Sequence, residues 1–464
     1  MKNLLLTALL TCGLTTSAVA QNEEPEIDGT TGATKQEQPA ELKPVQTPEE
    51  KAEARQKRID KFMDAVSRFH MGGYGEIAMS RNFYTDNPNR YSNPTAWKDA
   101  PYHGRFDIPH MAINMSYDFG KGWKFYSEIE FEHGGTGTTT EYEAEDGGTE
   151  WETETEKGGE VELEQLWVEK SFAKWANVRL GHIIVPVGLN NAYHEPLNFF
   201  TVYRPEGENT ILPSTWHQTG VSFWGRAKAW RYEAQFLAGL NAQKFDTQKW
   251  INEGAESPLS FEPATKYGVA ARVDNFSLRG FRFGLSAYYG HTMGNTYPAE
   301  DNEVNYKGAL AIASFDFTMK RWNWIVRGQI DYGYLGDTGY LSDELNYERR
   351  NKKSPFYKMR SGVGKNAYAL GIEAGWDLFS QFTKLRNKQK LYLFGRYDNY
   401  SSAADSQTSL KYGYTKSETI HFGVNYIPVP QVVIKADYSN RLLREGYNNE
   451  PSLNIGVAYQ GQFF

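Results

Sequence analysis

Charged side chains recur at alternate positions along much of this sequence. Arg179, Arg231, Arg272, Arg282, Arg327, Arg396 and Lys435 stand in stretches where every second residue is apolar. So do Glu128, Glu130, Glu132, Glu233, Asp331, Glu373, Asp398 and Asp437. A period of two places alternate side chains on opposite faces of a strand, so these charges share one wet face. If the other face meets lipid, the assignment is forced, because an Arg at mid-bilayer would cost about 2–4 kcal/mol. A lumen walled by both signs sorts small polar solutes by width and local field. The plainer expectation is that many of these charges pair with one another as wall residues.

A second concentration lies between Gly188 and Gln218: Asn190, Asn191, His194, Glu195, Phe199, Phe200, Tyr203, Arg204, Glu206, Glu208, Trp216 and His217. Acidic and basic groups facing each other across a narrow pore set up a transverse field. The segment is therefore read as a constriction folded into a lumen; the alternative is a loop packed outside. The segment 141–157 carries Glu141, Glu143, Glu145, Asp146, Glu150, Glu152, Glu154 and Glu156. Metal coordination needs converging oxygens, and a run of like charge is expected to be solvated, so no metal site is assigned. No Gly-x-Ser-x-Gly, His-Glu-x-x-His or Walker pattern occurs. His110 and His182 stand alone in strands. The chain is read as a non-enzyme with no cofactor.

Strands must carry these groups. Phe281, Phe283, Leu285, Ala287 and Tyr289 alternate with Arg282, Gly284, Ser286, Tyr288 and Gly290, and Trp123 to Phe131 alternates likewise with Lys124 to Glu132. Sixteen such segments are expected, near 72–80, 105–118, 123–134, 160–172, 176–187, 217–225, 230–240, 266–274, 281–290, 304–318, 322–333, 366–378, 390–400, 416–427, 431–439 and 452–462. Most have the length a tilted strand needs to cross a bilayer. Short connectors alternate with long polar ones, the rhythm of a transmembrane antiparallel up-and-down β-barrel. A soluble all-β fold is the competing class. The composition suits two wet interfaces: 30 Tyr, 26 Phe, 12 Trp and 43 Gly in a chain of mean hydropathy -0.64.

The ends read differently. Lys2, the apolar Leu4 to Leu10 and the Ala18-Val19-Ala20 site predict a signal peptide over 1–20, cleaved after Ala20. The only Cys, Cys12, falls inside it, so the mature chain would have no thiol; a lipidated Cys12 is the alternative. Residues 21–50, rich in Glu, Gln, Pro and Thr, are read as a disordered linker. Ile59, Phe62, Met63, Val66 and Phe69 form one apolar stripe, which predicts an amphipathic helix over 51–70 that plugs, tethers or coils. The barrel is expected over 71–464. A net charge of -7 gives no basic footprint for nucleic acid.

Three stretches carry a resemblance. They are Glu164-Gln165-Leu166-Trp167-Val168-Glu169, Val178 to Leu189, and Asn425-Tyr426-Ile427-Pro428-Val429-Pro430 with Val432 to Tyr438. The chain resembles the porin family that includes the phosphate-selective porins O and P, in its Bacteroidetes form. That resemblance implies a 16-stranded outer-membrane porin, homotrimeric, with an inward third loop. Such a porin admits small hydrophilic solutes and ions by passive diffusion. A selective or plugged channel for an anionic solute is the alternative, and a barrel enzyme a remoter one. The basic ladder of the phosphate-selective members does not carry over, since this chain interleaves the signs. The last strand, Leu453 to Phe464, is similar to the signal read by the barrel assembly machinery, and the outer face implies outer-membrane lipid as partner.

Overall fold

In a computed structural model, the described residues are 47–464 except 92, 135–137, 145–150, 158, 214, 256–262, 296–305, 344–361, 386–387 and 406–412. The leader, Cys12 and residues 21–46 of the linker lie outside them. The chain divides into two compact units, Met1–Asp60 and Lys61–Phe464. Helix α1 (Pro48–Arg68) opens with a reciprocal cap. The Thr47 amide donates to Glu50 Oε2 at 2.7 Å and the Glu50 amide to Thr47 Oγ1 at 3.2 Å. Ile59, Phe62 and Met63 are exposed on it. No described helix is long and apolar enough to cross a membrane.

The second unit is a closed antiparallel β-barrel of sixteen strand positions. Its strands are β1 (Phe69–Asn82), β2 (His103–Asp107), β3 (His110–Gly120), β4 (Trp123–Glu132), β7 (Glu160–Ala173), β8 (Ala176–Ile184), β9 (His217–Ala227) and β10 (Trp230–Ala238). They continue as β11 (Tyr267–Asn275), β12 (Phe281–His291), β13 (Ala309–Arg321), β14 (Trp324–Leu335), β15 (Asn366–Asp377), β16 (Lys390–Asp405), β17 (Lys416–Val429), β18 (Val432–Leu443) and β19 (Glu450–Gln462). Each strand position pairs with the next, β2 and β3 together filling one, and β19 returns to β1 from Gly72↔Gln462 to Asn82↔Ser452. The Met71 amide donates to the Phe464 carbonyl and the Phe463 amide to that of Met71, so the last residues also help close the ring.

Polarity is inverted relative to a water-soluble fold. Leu285 is 61% exposed and Phe422 63%, whereas Asp316, Asp331 and Asp398 are each 0% exposed. Outside, Phe119, Trp123, Phe172, Trp175, Trp230, Trp322 and Trp324 ring the short-turn end. Tyr267, Tyr289, Tyr332 and Tyr438 are exposed toward the other end. Two aromatic girdles flanking an apolar band are what a bilayer selects.

The differences from sequence expectation are local. Phe69, grouped with the helical stripe, begins β1. The second strand position breaks at Ile108-Pro109 into β2 and β3, both paired with β1, because Pro109 has no amide to donate. The strand expected from 304 begins at Ala309, and the one expected to 187 stops at Ile184. The connector 135–159, expected as a loop, holds a hairpin of β5 (Thr138–Ala144) and β6 (Trp151–Lys157), registered Thr138↔Lys157. Thr alternates with Glu there, and β-branched Thr favours extended backbone.

Leu285 lies in the middle of β12 on the outer face. Leu285→Arg is expected to lower the unfolding free energy by about 2–4 kcal/mol in lipid vesicles, measured by tryptophan fluorescence in urea. No loss would place this face in water.

Candidate functional site

The connector from β8 to β9, residues 185–216, turns inward. Val187, Phe199, Phe200, Val202, Ile211, Leu212 and Trp216 are buried. The Val185 amide donates to the Trp216 carbonyl, closing its neck. Asn191 fastens the same neck: its Nδ2 donates to the Val185 and Val187 carbonyls, at 2.5 and 3.0 Å, and its Oδ1 accepts the Trp216 amide at 2.6 Å. Inside lie two short helices, α2 (Leu189–Ala192) and α3 (Glu206–Ile211). Glu208 of α3 accepts the backbone amides of Leu189, Asn190 and Asn191 at 3.0, 3.0 and 2.9 Å, so it seals the N-terminus of α2. Gly188 permits this. Its φ is +87° and a Cβ there would strike the Glu208 carboxylate.

The tip of the segment reaches the far wall, about halfway round the ring. Lys435 of β18 donates to the Pro196, Phe199 and Thr201 carbonyls at 2.7, 3.0 and 2.9 Å. Asp437 accepts the Val202 amide at 2.7 Å and Glu373 of β15 that of Phe200 at 3.3 Å. Glu206 accepts from Arg441 Nη2 at 2.7 Å, Arg441 Nε at 2.9 Å and Tyr400 Oη at 2.8 Å. Nearer the neck, Asn190 donates to Gln329 at 3.0 Å and Arg272 to the Gly188 carbonyl at 3.0 Å. Arg204 meets Thr215 at 2.7 Å and approaches Glu130 at 3.8 Å. Tyr203 is half-buried, and Glu195 accepts from Asn198 at 2.7 Å.

Two acids of α3 titrate in opposite directions. Burial opposes the charge of Glu206, but Arg441 and Tyr400 outweigh it and hold its carboxyl down at about 2. Burial pushes Glu208 up to about 7, against the pull of its three amide donors.

All the wall charges singled out in the sequence lie on the inner face, and many are paired. Arg272 bridges Asp274 and Asp316, and Arg282 contacts the same two acids. Arg396 holds Asp398 at 2.7 Å and Glu373 at 3.3 Å, and Glu373 also binds Arg327. Arg179 pairs with Glu169 at 3.1 Å, Arg231 with Glu233 at 2.6 Å. Arg396, Lys435, Asp331 and Asp398 are buried and line neither of two lumen cavities flanking the segment, whereas Arg179, Arg231, Arg282 and Arg327 line the larger of these two. That cavity, about 770 Å³ on the short-turn side, is bounded by Leu189, Tyr193, His194, Glu195 and Asn198 of the segment. It gathers Arg179, Arg226, Arg231, Arg272, Arg279, Arg282, Lys320 and Arg327 against Glu195 and Glu233. A second cavity, about 370 Å³ on the other side, is lined by Glu76, Asp107, Glu132, Glu160 and Glu162 with Arg204, Lys249 and three histidines.

Sequence reading missed several members. Arg441 continues the alternation Lys435, Asp437, Ser439, but the strand was expected to stop at 439. Arg226 and Lys320 lie at the ends of β9 and β13, beyond the strands expected to stop at 225 and 318, and Arg279 sits in a turn, where periodicity carries no signal. Glu164 escaped because the pairing of Glu128 with Gln165 and of Ile129 with Leu163 leaves it in a bulge.

No family model matches the chain. It is similar to an uncharacterized protein of Aquifex aeolicus, 26% identical over 393 residues, 83% of this chain and 77% of the relative. Among solved structures it resembles the anion-selective porin from Comamonas acidovorans, with TM-score 0.49 and 9% identity over 85% of this chain and 99% of that one. It also resembles the outer membrane channel DcaP of Acinetobacter baumannii, with TM-score 0.47 and 9% identity over 85% and 97%.

The depressed Glu206 carboxyl gives a signed expectation. Its stabilisation is complete above the ordinary carboxyl value of 4.5 and is lost as pH falls toward 2. The melting-temperature gap between wild type and Glu206→Gln should therefore be full above pH 4.5 and narrow toward pH 2. A gap that does not change with pH would mean that Glu206 does not anchor the segment.

Proposed function

We propose that this chain is an outer-membrane porin: a water-filled channel for passive diffusion of small hydrophilic solutes and ions, with residues 185–216 as its constriction. The observation that carries this reading is the inverted polarity of a closed barrel whose long β8–β9 connector lies across the lumen. The short turns would face the periplasm with both ends of the barrel, and the long connectors the outside. Asn190, Asn191, His194, Glu195, Tyr203, Arg204, Glu206 and Glu208 set the aperture. A homotrimer in outer-membrane lipid, inserted through recognition of β19, completes the reading. The signal peptide is cleaved after Ala20, and the α1 region serves as a tether.

The inner cavity favours a preference for anions. Its basic side chains outnumber its acids, and walls of one dominant sign concentrate counter-ions in a confined lumen. This preference is the part of the likeness to phosphate-selective porins that the residues support. The paired signs elsewhere on the wall are structural and support no ladder.

Reconstitution of the mature protein in a planar bilayer under a KCl gradient tests both statements. Stable conductance steps are expected, grouped in threes, with a reversal potential of anion-preferring sign. Arg231→Glu with Arg279→Glu should move that potential toward cation preference. A folded barrel without conductance would overturn the porin reading.

A further inference from the structure

We propose that Glu128, Glu164 and His194 bind a divalent transition-metal cation of the zinc class, which clasps the lumen segment to the barrel wall. Glu128 comes from β4, Glu164 from the neighbouring β7 and His194 from the segment between α2 and α3. One ligand atom from each lies within 4.8 Å of the other two. Zinc–nitrogen and zinc–oxygen bonds of about 2.0–2.2 Å set ligand atoms about 3.4 Å apart around a tetrahedral ion, so a bound ion would hold these three atoms inside that separation.

Three features point to a ligand. First, the β7 bulge is built for it. Leu163 and Leu166 are both exposed on the outer face, so the two residues between them turn inward, and Glu164 is 0% exposed. A bulge gives up regular pairing to re-aim a side chain. Second, His194 Nδ1 lies 3.2 Å from the Asn191 carbonyl, which fixes the proton on Nδ1 and leaves a lone pair on Nε2. That Nε2 and Glu164 Oε1 are both buried without a hydrogen-bond partner. Leaving such atoms unsatisfied is unfavourable, and a cation between them satisfies both. Third, Glu128, Glu130 and Glu164 converge, Glu130 and Glu164 joined by a side-chain hydrogen bond, with the Arg204 guanidinium beside those two and His110 beside Glu130. Tyr74 Oη lies 3.2 Å from Glu130 and 3.5 Å from Glu164. A divalent ion suits such a concentration of carboxylates.

The donor set selects the metal. One imidazole and two carboxylates suit zinc or its neighbours, whereas calcium seeks six to eight oxygens. Outer partners are in place: Tyr126 and Gln165 donate to Glu128 Oε2 at 2.8 and 2.6 Å, and the Asn191 carbonyl orients His194. The nearby His110 differs, because it already stands 3.0 and 3.3 Å from Glu130 and Glu132, at ion-pair distance.

The test titrates ZnCl2 into the refolded, chelator-stripped chain in detergent, by calorimetry and by elemental analysis after gel filtration. One zinc per chain is expected. His194→Ala and Glu164→Gln, each checked for heat-modifiable migration, should weaken binding by about 100-fold, and His110→Ala should leave it unchanged. In wild type, zinc should slow proteolysis within 185–216. No saturable binding, binding unchanged in both His194→Ala and Glu164→Gln, or binding removed by His110→Ala would overturn the proposal. Each result is read without conductance, so a silent channel that binds zinc would sink the porin reading and leave this site standing.

Discussion

A sheet whose outer face meets hydrocarbon cannot leave an open edge, and the pairing of β1 with β19 removes the only two edges this one would have. Water would satisfy a free strand edge in a soluble fold; inside a bilayer each orphaned amide or carbonyl costs several kcal/mol. The register from Gly72↔Gln462 to Asn82↔Ser452 spans nearly the whole length of both strands. Closure also dictates the side chains. With apolar residues committed outward, every polar group of the strands must find its partner within the lumen or in water held there.

The segment 185–216 answers that demand on one side of the ring. Its backbone supplies carbonyls to Lys435 and amides to Asp437 and Glu373, while Glu206 meets Arg441 on the far wall. The wall charges are thus used in two ways. Some are spent in buried ion pairs such as Arg272 with Asp316 and Arg396 with Asp398, which hold the shape. Others, among them Arg226 and Arg279, border the larger cavity and give it a basic lining, while Arg179, Arg231 and Arg272 do both. A buried pair is a weak source of net stability but a strict geometric constraint, since removing one partner strands the other. A narrow lumen of fixed width benefits from that strictness.

Much of the barrel could be read from the chain because its determinant is strictly periodic. Phe283, Leu285 and Tyr289 against Arg282, Ser286 and Tyr288 leave only one way to face lipid, and the alternation of short and long connectors fixes strand direction. The reading failed where the period breaks. Pro109 splits one strand, Glu164 sits in a bulge, and Thr-rich 138–144 pairs with 151–157 as a hairpin inside a connector. In the lumen, residue type marked the right side chains, but their partners are separated by long stretches of chain. Glu206 with Arg441 and Asn190 with Gln329 are tertiary facts that no local pattern encodes.

The lumen takes its shape from the segment that crosses it to the opposite wall. A Cβ built on Gly207 of α3 would lie 3.6 Å from the Ala369 Cβ of β15, within the separation a disulfide spans. The only native cysteine is Cys12, within the expected leader. The direct measurement is oxidation of the mature Gly207→Cys, Ala369→Cys double variant in the folded state, read as a reductant-sensitive mobility shift. An intrachain disulfide formed in nearly every folded barrel is the predicted result. Two free thiols that both react with a maleimide in the folded protein would contradict it and place the segment outside the lumen.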